Sequence, residues 1–183
     1  LLSEYSDNLV TELVKDSNKR IIQNQLQGIG VVFFNSPAMI KNLNPELMHM
    51  MFQLASVTSP NMYEFKFILA NFLATSNDYE KAIKIYRQIP KKNYLGEYAT
   101  IQISNLYSLE DKNDEAIKLL SKFLENKESF NGLLTLGNYY RYVSDWEEAL
   151  KAYEDAIRIG INFNNEDLTG LKALSEKNYS IYR

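Results

Sequence analysis

Three alanines stand at nearly fixed intervals: Ala82, Ala116 and Ala149 lie 34 and 33 residues apart. Each belongs to the same local pattern. Asp78-Tyr-Glu-Lys-Ala82 precedes Tyr86 and Ile89, Asn113-Asp-Glu-Ala116 precedes Leu120 and Phe123, and Ala149 precedes Tyr153 and Ala156. Twelve residues before each alanine is another small residue, Ala70, Ser104 or Gly137, inside LANFL, ISNLY or LGNYY. Small residues recurring at helical spacing mark places where backbones approach closely. A period of this length therefore restricts the chain to one supersecondary unit, a helical hairpin, stacked on copies of itself.

The fullest copy runs from Phe130 to Ile161. Leu133, Leu136, Gly137 and Tyr140 fall at i, i+3, i+4 and i+7 on a first helix, and Ala149, Tyr153 and Ala156 share a face of a second. Ser144 and Glu147 have the Ser-x-x-Glu spacing of a capping box, which predicts a second helix starting near Asp145. This arrangement resembles the tetratricopeptide repeat, W-x2-L-G-x2-Y followed by A-x3-F, a small residue and a proline, with Leu133, Tyr153 and Ile161 replacing the Trp, the Phe and the Pro. The resemblance covers roughly 130 residues. It implies an all-α fold, a right-handed α-solenoid of antiparallel helical hairpins.

A degenerate copy precedes the three regular ones. Leu26, Ile29, Gly30 and Phe33 repeat the offsets of Leu133, Leu136, Gly137 and Tyr140, and Met48 stands 34 residues before Ala82. Asn44-Pro45 carries the cap and first-turn signals of its second helix. Gly30 precedes Ala70 by 40 residues, so about six extra residues are expected in its turn, over Asn35 to Asn44. There Ala38, Met39 and Ile40 either pack back on the repeat or form an interaction loop. The expected organisation is an N-terminal helix over 1–18, the degenerate repeat over 20–60, and regular repeats over 61–93, 94–128 and 129–162. Residues 163–183 follow as a C-terminal capping helix or the start of a further repeat. The ends are similar to those of long bacterial tetratricopeptide proteins, so the chain is expected to be a fragment of one, and its Asn, Lys, Ile and Tyr content suits an AT-rich bacterial genome.

Composition narrows the function. A net charge of -3 with no basic stripe argues against nucleic acid, and no apolar run reaches the length of a transmembrane segment. The absence of cysteine removes disulfides, thiolate metal sites and cysteine nucleophiles, while cytoplasmic and exported locations stay equally compatible. His49 is the only histidine, too few for a zinc site, and no phosphate-loop, nucleophile-elbow or zincin motif occurs. No cofactor, no metal and no enzymatic activity is expected. Tyr86, Tyr107, Tyr140 and Tyr153 fall on core positions, with Tyr139 and Tyr142 less tied to the core, and the Met48, Met50, Met51 cluster is expected to be core rather than a soft binding surface.

One polar set recurs. Asn71, Asn105 and Asn138 each directly follow the small residue of their repeat. In tetratricopeptide proteins the first helices line a concave groove, and the resemblance implies that an Asn here bonds a bound peptide. On the same helical face stand Phe67 and Ala74, Ile101 and Ser108, and Leu134 and Arg141. The alternative is that the asparagines bond only a neighbouring helix. The lysines by which related chaperone-binding proteins clamp a terminal carboxylate are missing, since Phe67, Asn131 and Thr135 hold those places. The expected function is a scaffold for a peptide or extended protein segment. The other readings are a structural segment of a longer solenoid, with self-association, and a secretion-type chaperone.

Overall fold

The computed structural model describes Ile22 and residues 24–161 apart from Lys41; the terminal helices expected over 1–18 and 163–183 lie outside the described residues. Among the described residues there are eight helices and no strand: α1 Gln25–Met39, α2 Pro45–Thr58, α3 Tyr63–Thr75, α4 Tyr79–Tyr86, α5 Leu95–Leu109, α6 Asn113–Leu124, α7 Phe130–Tyr142 and α8 Trp146–Ile161. The chain divides between Phe65 and Lys66 into two units.

In the first unit α1 and α2 form a hairpin. Gly30 lets them close, because a Cβ there would lie 2.2 Å from Ser59 Oγ. Phe34 stacks on Phe65 with centroids 4.5 Å apart and tilts against Phe52 at 6.1 Å. Asn44 caps α2 as expected, its Oδ1 accepting from the Glu46 N–H at 2.7 Å, with Pro45 in the first turn.

The six extra residues, however, do not all enter the turn. Measured from Gly30, α1 extends four residues further than its counterparts, and only two are added between helices, as Ile40–Asn44. Pro37 lies inside the helix. Side chains serve as donors beside it: Asn35 Nδ2 to the Val31 carbonyl at 2.8 Å and Ser36 Oγ to that of Val32 at 2.6 Å. Met39 and Ile40 do not pack back; they are 83% and 46% exposed.

In the second unit α5–α6 and α7–α8 are hairpins, and successive repeats touch through α4 with α5, α6 with α7, and α5 with α7. The recurrent alanines are buried as their spacing demanded, Ala82 and Ala116 completely. At Gly137 a Cβ would come within 2.6 Å of the Tyr153 ring. Leu136, Tyr139, Ala116, Leu120 and Ala152 share one core cluster. Tyr139 is therefore core rather than the loosely held residue its spacing suggested, while Tyr140 is half-buried beside the cluster.

Every hairpin turn of this unit is built alike. Asn77, Asp111 and Ser144 have φ of 61, 59 and 64°, the left-handed conformation. The next N–H then reaches back five residues: Asp78 to Leu73, Lys112 to Tyr107 and Asp145 to Tyr140, at 2.9, 2.9 and 2.8 Å. That is the bond by which a helix end is closed over its last carbonyls. Ser144 is thus not the cap of a capping box with Glu147. It closes α7, and Asp145 stands before α8, accepting from the Glu148 N–H at 3.4 Å.

A further lock sets α7 beside α5. Ser129, 4% exposed, caps α7 through the Gly132 N–H at 2.9 Å and donates to Glu97 Oε1 on α5 at 2.6 Å, while Lys127 pairs with Glu97 Oε2 at 2.8 Å.

Candidate functional site

Asn71, Asn105 and Asn138 lie on α3, α5 and α7, the first helices of the three regular repeats. Each side-chain oxygen accepts a tyrosine hydroxyl. Tyr86 donates to Asn71, Tyr153 to Asn138 at 2.8 Å, and Tyr139 to Asn105 at 2.6 Å. The tyrosines come from two sources. Tyr86 and Tyr153 stand fifteen residues after their asparagine, on the second helix of the same hairpin. In the middle repeat that place is Leu120, and the hydroxyl comes instead from Tyr139 on the next first helix, 34 residues on. The counterpart of Tyr139 one repeat earlier is Leu106. One junction thus combines Tyr86 with Leu106 and the next Leu120 with Tyr139, so each supplies one hydroxyl.

Burial pushes the Tyr139 phenol above its ordinary 10.0, with the Ser104 hydroxyl opposing, and pushes Tyr153 up likewise, with the Arg141 guanidinium beside it opposing. Both remain neutral donors. Because each donor holds the carboxamide oxygen, the amide NH2 of the same group is turned from the tyrosine, and among the described residues no protein acceptor takes it. Asn138 is exposed, and Asn71 and Asn105 are half-buried.

The residues expected around them divide. Ala74, Ile101 and Leu134 are half-buried, with Ile101 packed on the Leu120–Tyr139 cluster. Ser108 donates to Asn113 Oδ1 at 2.8 Å, and Arg141 is exposed against Tyr153. Phe67 is a correction. It is 4% exposed, its ring edge-on to Tyr86 at 5.5 Å, so it packs the tyrosine that holds Asn71 and does not line an open surface.

Three residues that sequence reasoning did not assign to this face belong with it. Tyr98 stands seven residues before Asn105, Leu109 four after it, and Tyr142 four after Asn138, and all three are well exposed. Extending the helical face by one more turn would have found them.

Elsewhere a cleft of about 470 Å3 lies between α4 and the end of α5. Within it Arg87 donates to the Tyr107 hydroxyl at 2.6 Å, a contact that joins two repeats, and Lys112 pairs with Glu110 at 3.0 Å within the later of the two. Among the described residues no group of three or more His, Cys, Asp or Glu could hold a metal ion, and no helix is long and apolar enough to cross a membrane.

No protein-family model matches the chain, and no curated protein matches it. Solved structures do. MamA (residues 41 to the end) from Desulfovibrio magneticus RS-1 aligns over 87% of this chain and 96% of its own at a TM-score of 0.58 and 13% identity. YrrB, described as a TPR protein with an unusual peptide-binding site, aligns over 83% and 73% at 0.56 and 18%. The C-terminal part of a TPR repeat-containing protein from Cytophaga hutchinsonii aligns over 86% and 62% at 0.62 and 15%. At these identities the likeness is one of fold: the chain has the tetratricopeptide-repeat architecture.

Proposed function

We propose that this tetratricopeptide-fold chain is a scaffold that binds an extended peptide or protein segment along the asparagine-bearing face of α3, α5 and α7. The observation that carries the reading is the common orientation of the three carboxamides. Each has its oxygen held by tyrosine, which leaves two N–H donors to meet the carbonyls of an extended backbone. Among the described residues, three of the five large hydrophobics exposed in the second unit stand on the same face. Tyr98, Leu109 and Tyr142 flank the amides on α5 and α7, supplying contact area at small entropic cost in the case of the tyrosines. Arg141 adds one cation for an acidic residue of the partner. Ala74, Ile101, Ser108 and Leu134 form the walls between.

A random-peptide display library, selected on the immobilised chain and then measured against purified peptides, tests this. Peptides enriched by the wild type should lose at least about tenfold in affinity to a variant carrying Asn71→Ala, Asn105→Ala and Asn138→Ala whose helicity is intact. Leu109→Ala with Tyr142→Ala, which disturbs no hydrogen bond among the described residues, should weaken the same peptides. Unchanged affinities in both folded variants would remove this face as the binding site.

A further inference from the structure

The outward side of α2 differs from that of every other second helix. With Met48 aligned to Ala82, Ala116 and Ala149, the positions of Leu47, Met50, Leu54 and Val57 are held in α4 and the residues after it by Lys81, Lys84, Gln88 and Lys91. In α6 and its end they are Glu115, Lys118, Lys122 and Glu125, and in α8 Glu148, Lys151, Asp155 and Arg158. Eleven of those twelve are charged, so this is the solvated side of a regular repeat. In α2 the four apolar side chains are nevertheless exposed, Leu47 and Leu54 to 39%, Met50 to 51% and Val57 to 70%. The exposed apolar residues of α1 are a different case. Ile29 and Val32 correspond to Leu136 and Tyr139 of α7, which face the preceding helix α6, so they belong to the side between repeats and not to the outward side.

We propose that the α2 stripe is a self-association surface whose occupant is the α2 of a second copy, packed antiparallel across a two-fold axis. The spacing i, i+3, i+7, i+10 is symmetric about its midpoint. Antiparallel pairing therefore sets Leu47 on Val57 of the second copy and Met50 on its Leu54, with no apolar residue left over. Glu46 is the only acidic residue of α2 and no Lys or Arg occurs in it, so the pairing brings no like charges together and desolvates no cation. The same pairing of α4 would set Lys84 on Gln88 and Lys81 on Lys91. Four part-exposed side chains offer roughly a few hundred Å2 per copy. Against about 800 Å2 per partner in a stable complex, this places the dimer in the weak, transient class.

Sedimentation equilibrium of the whole chain, carried to about 1 mM, reads the mass directly. The wild type should move from monomer toward dimer. Met50→Lys with Leu54→Lys, which installs residues the regular repeats carry there, should raise the dissociation constant at least about tenfold with helicity unchanged. Met50→Lys with Leu54→Glu should associate again at low salt, because the antiparallel register sets each lysine on a glutamate of the other copy. A wild type that stays monomeric throughout, recovery of another protein's helix on the stripe instead, or equal association by the double-lysine variant would overturn the proposal. Failure of the lysine–glutamate variant to associate where the wild type does would overturn the antiparallel register.

Discussion

The α1–α2 hairpin and the three regular hairpins keep one register inside and two chemistries outside. Of the fifteen large hydrophobics exposed among the described residues, ten fall between Ile22 and Val57 and only five in the second unit, three of those on the asparagine face. The inner positions follow the repeat in both. Gly30 and Gly137 each admit a facing element, and Ala55 is as buried as Ala156. Packing between hairpins thus specifies only the inward positions of each helix; the outward ones are free to differ, and where they do, they carry information about what the surface meets.

The largest effect expected from testing that contrast lies at the glycines. Gly137→Val forces branched carbons into the Tyr153 ring and should cost about 3 kcal/mol in urea unfolding. Gly28→Ala in α1, whose Cβ would meet nothing nearer than Ile22 at 3.7 Å, should instead stabilise by about 0.5–1 kcal/mol. A loss at Gly28 as large as that at Gly137 would mean that Gly28 faces a close neighbour as Gly30 and Gly137 do.

The tyrosine–leucine exchange between junctions gives the next effect. Tyr139→Leu strips Asn105 of its donor, and Leu120→Tyr crowds the same cluster, so each alone should cost about 1–2 kcal/mol. Together they recreate the Tyr86–Leu106 arrangement, and the double variant should recover about 1 kcal/mol relative to the sum. Strict additivity would show that the two residues are independent.

The smallest effect is in alkaline solution. The folded chain holds the Tyr139 and Tyr153 phenols above the ordinary 10.0, so below that pH their contribution to stability is complete. As the pH rises through 10.0 the unfolded chain ionises first, and stability falls until the folded phenols ionise too. No tyrosine occurs between Gln25 and Thr58. Amide exchange in α5–α8 should therefore accelerate in this range more than exchange in α1 and α2, and Tyr139→Phe should reduce the difference.

Much of this architecture was legible beforehand because a repeat presents the same test several times. Ala82, Ala116 and Ala149 could each be a coincidence, but twelve-residue partners before all three could not. Asn44-Pro45 was readable for a local reason, a side-chain acceptor two residues from its donor. Ser144 was misread for a local reason as well: Ser-x-x-Glu spacing does not reveal whether the serine is extended or left-handed, and the backbone of the preceding helix decided it. The added residues of the first hairpin were counted correctly and misplaced, since α1 continues through Pro37 and does not end before it.

The sequence by itself determined the helical hairpin, its period, the small residues at the crossings and the face on which three asparagines recur. Those follow from the spacing of residues along a single helix. Which hydroxyl each asparagine would receive, that Tyr139 and not Leu120 serves the middle repeat, that Phe67 lies beneath the face, and that Leu47, Met50, Leu54 and Val57 stand uncovered were decided only by the tertiary structure. Periodicity gives the direction in which a side chain leaves its own helix. What waits at that distance depends on how the next helix crosses it.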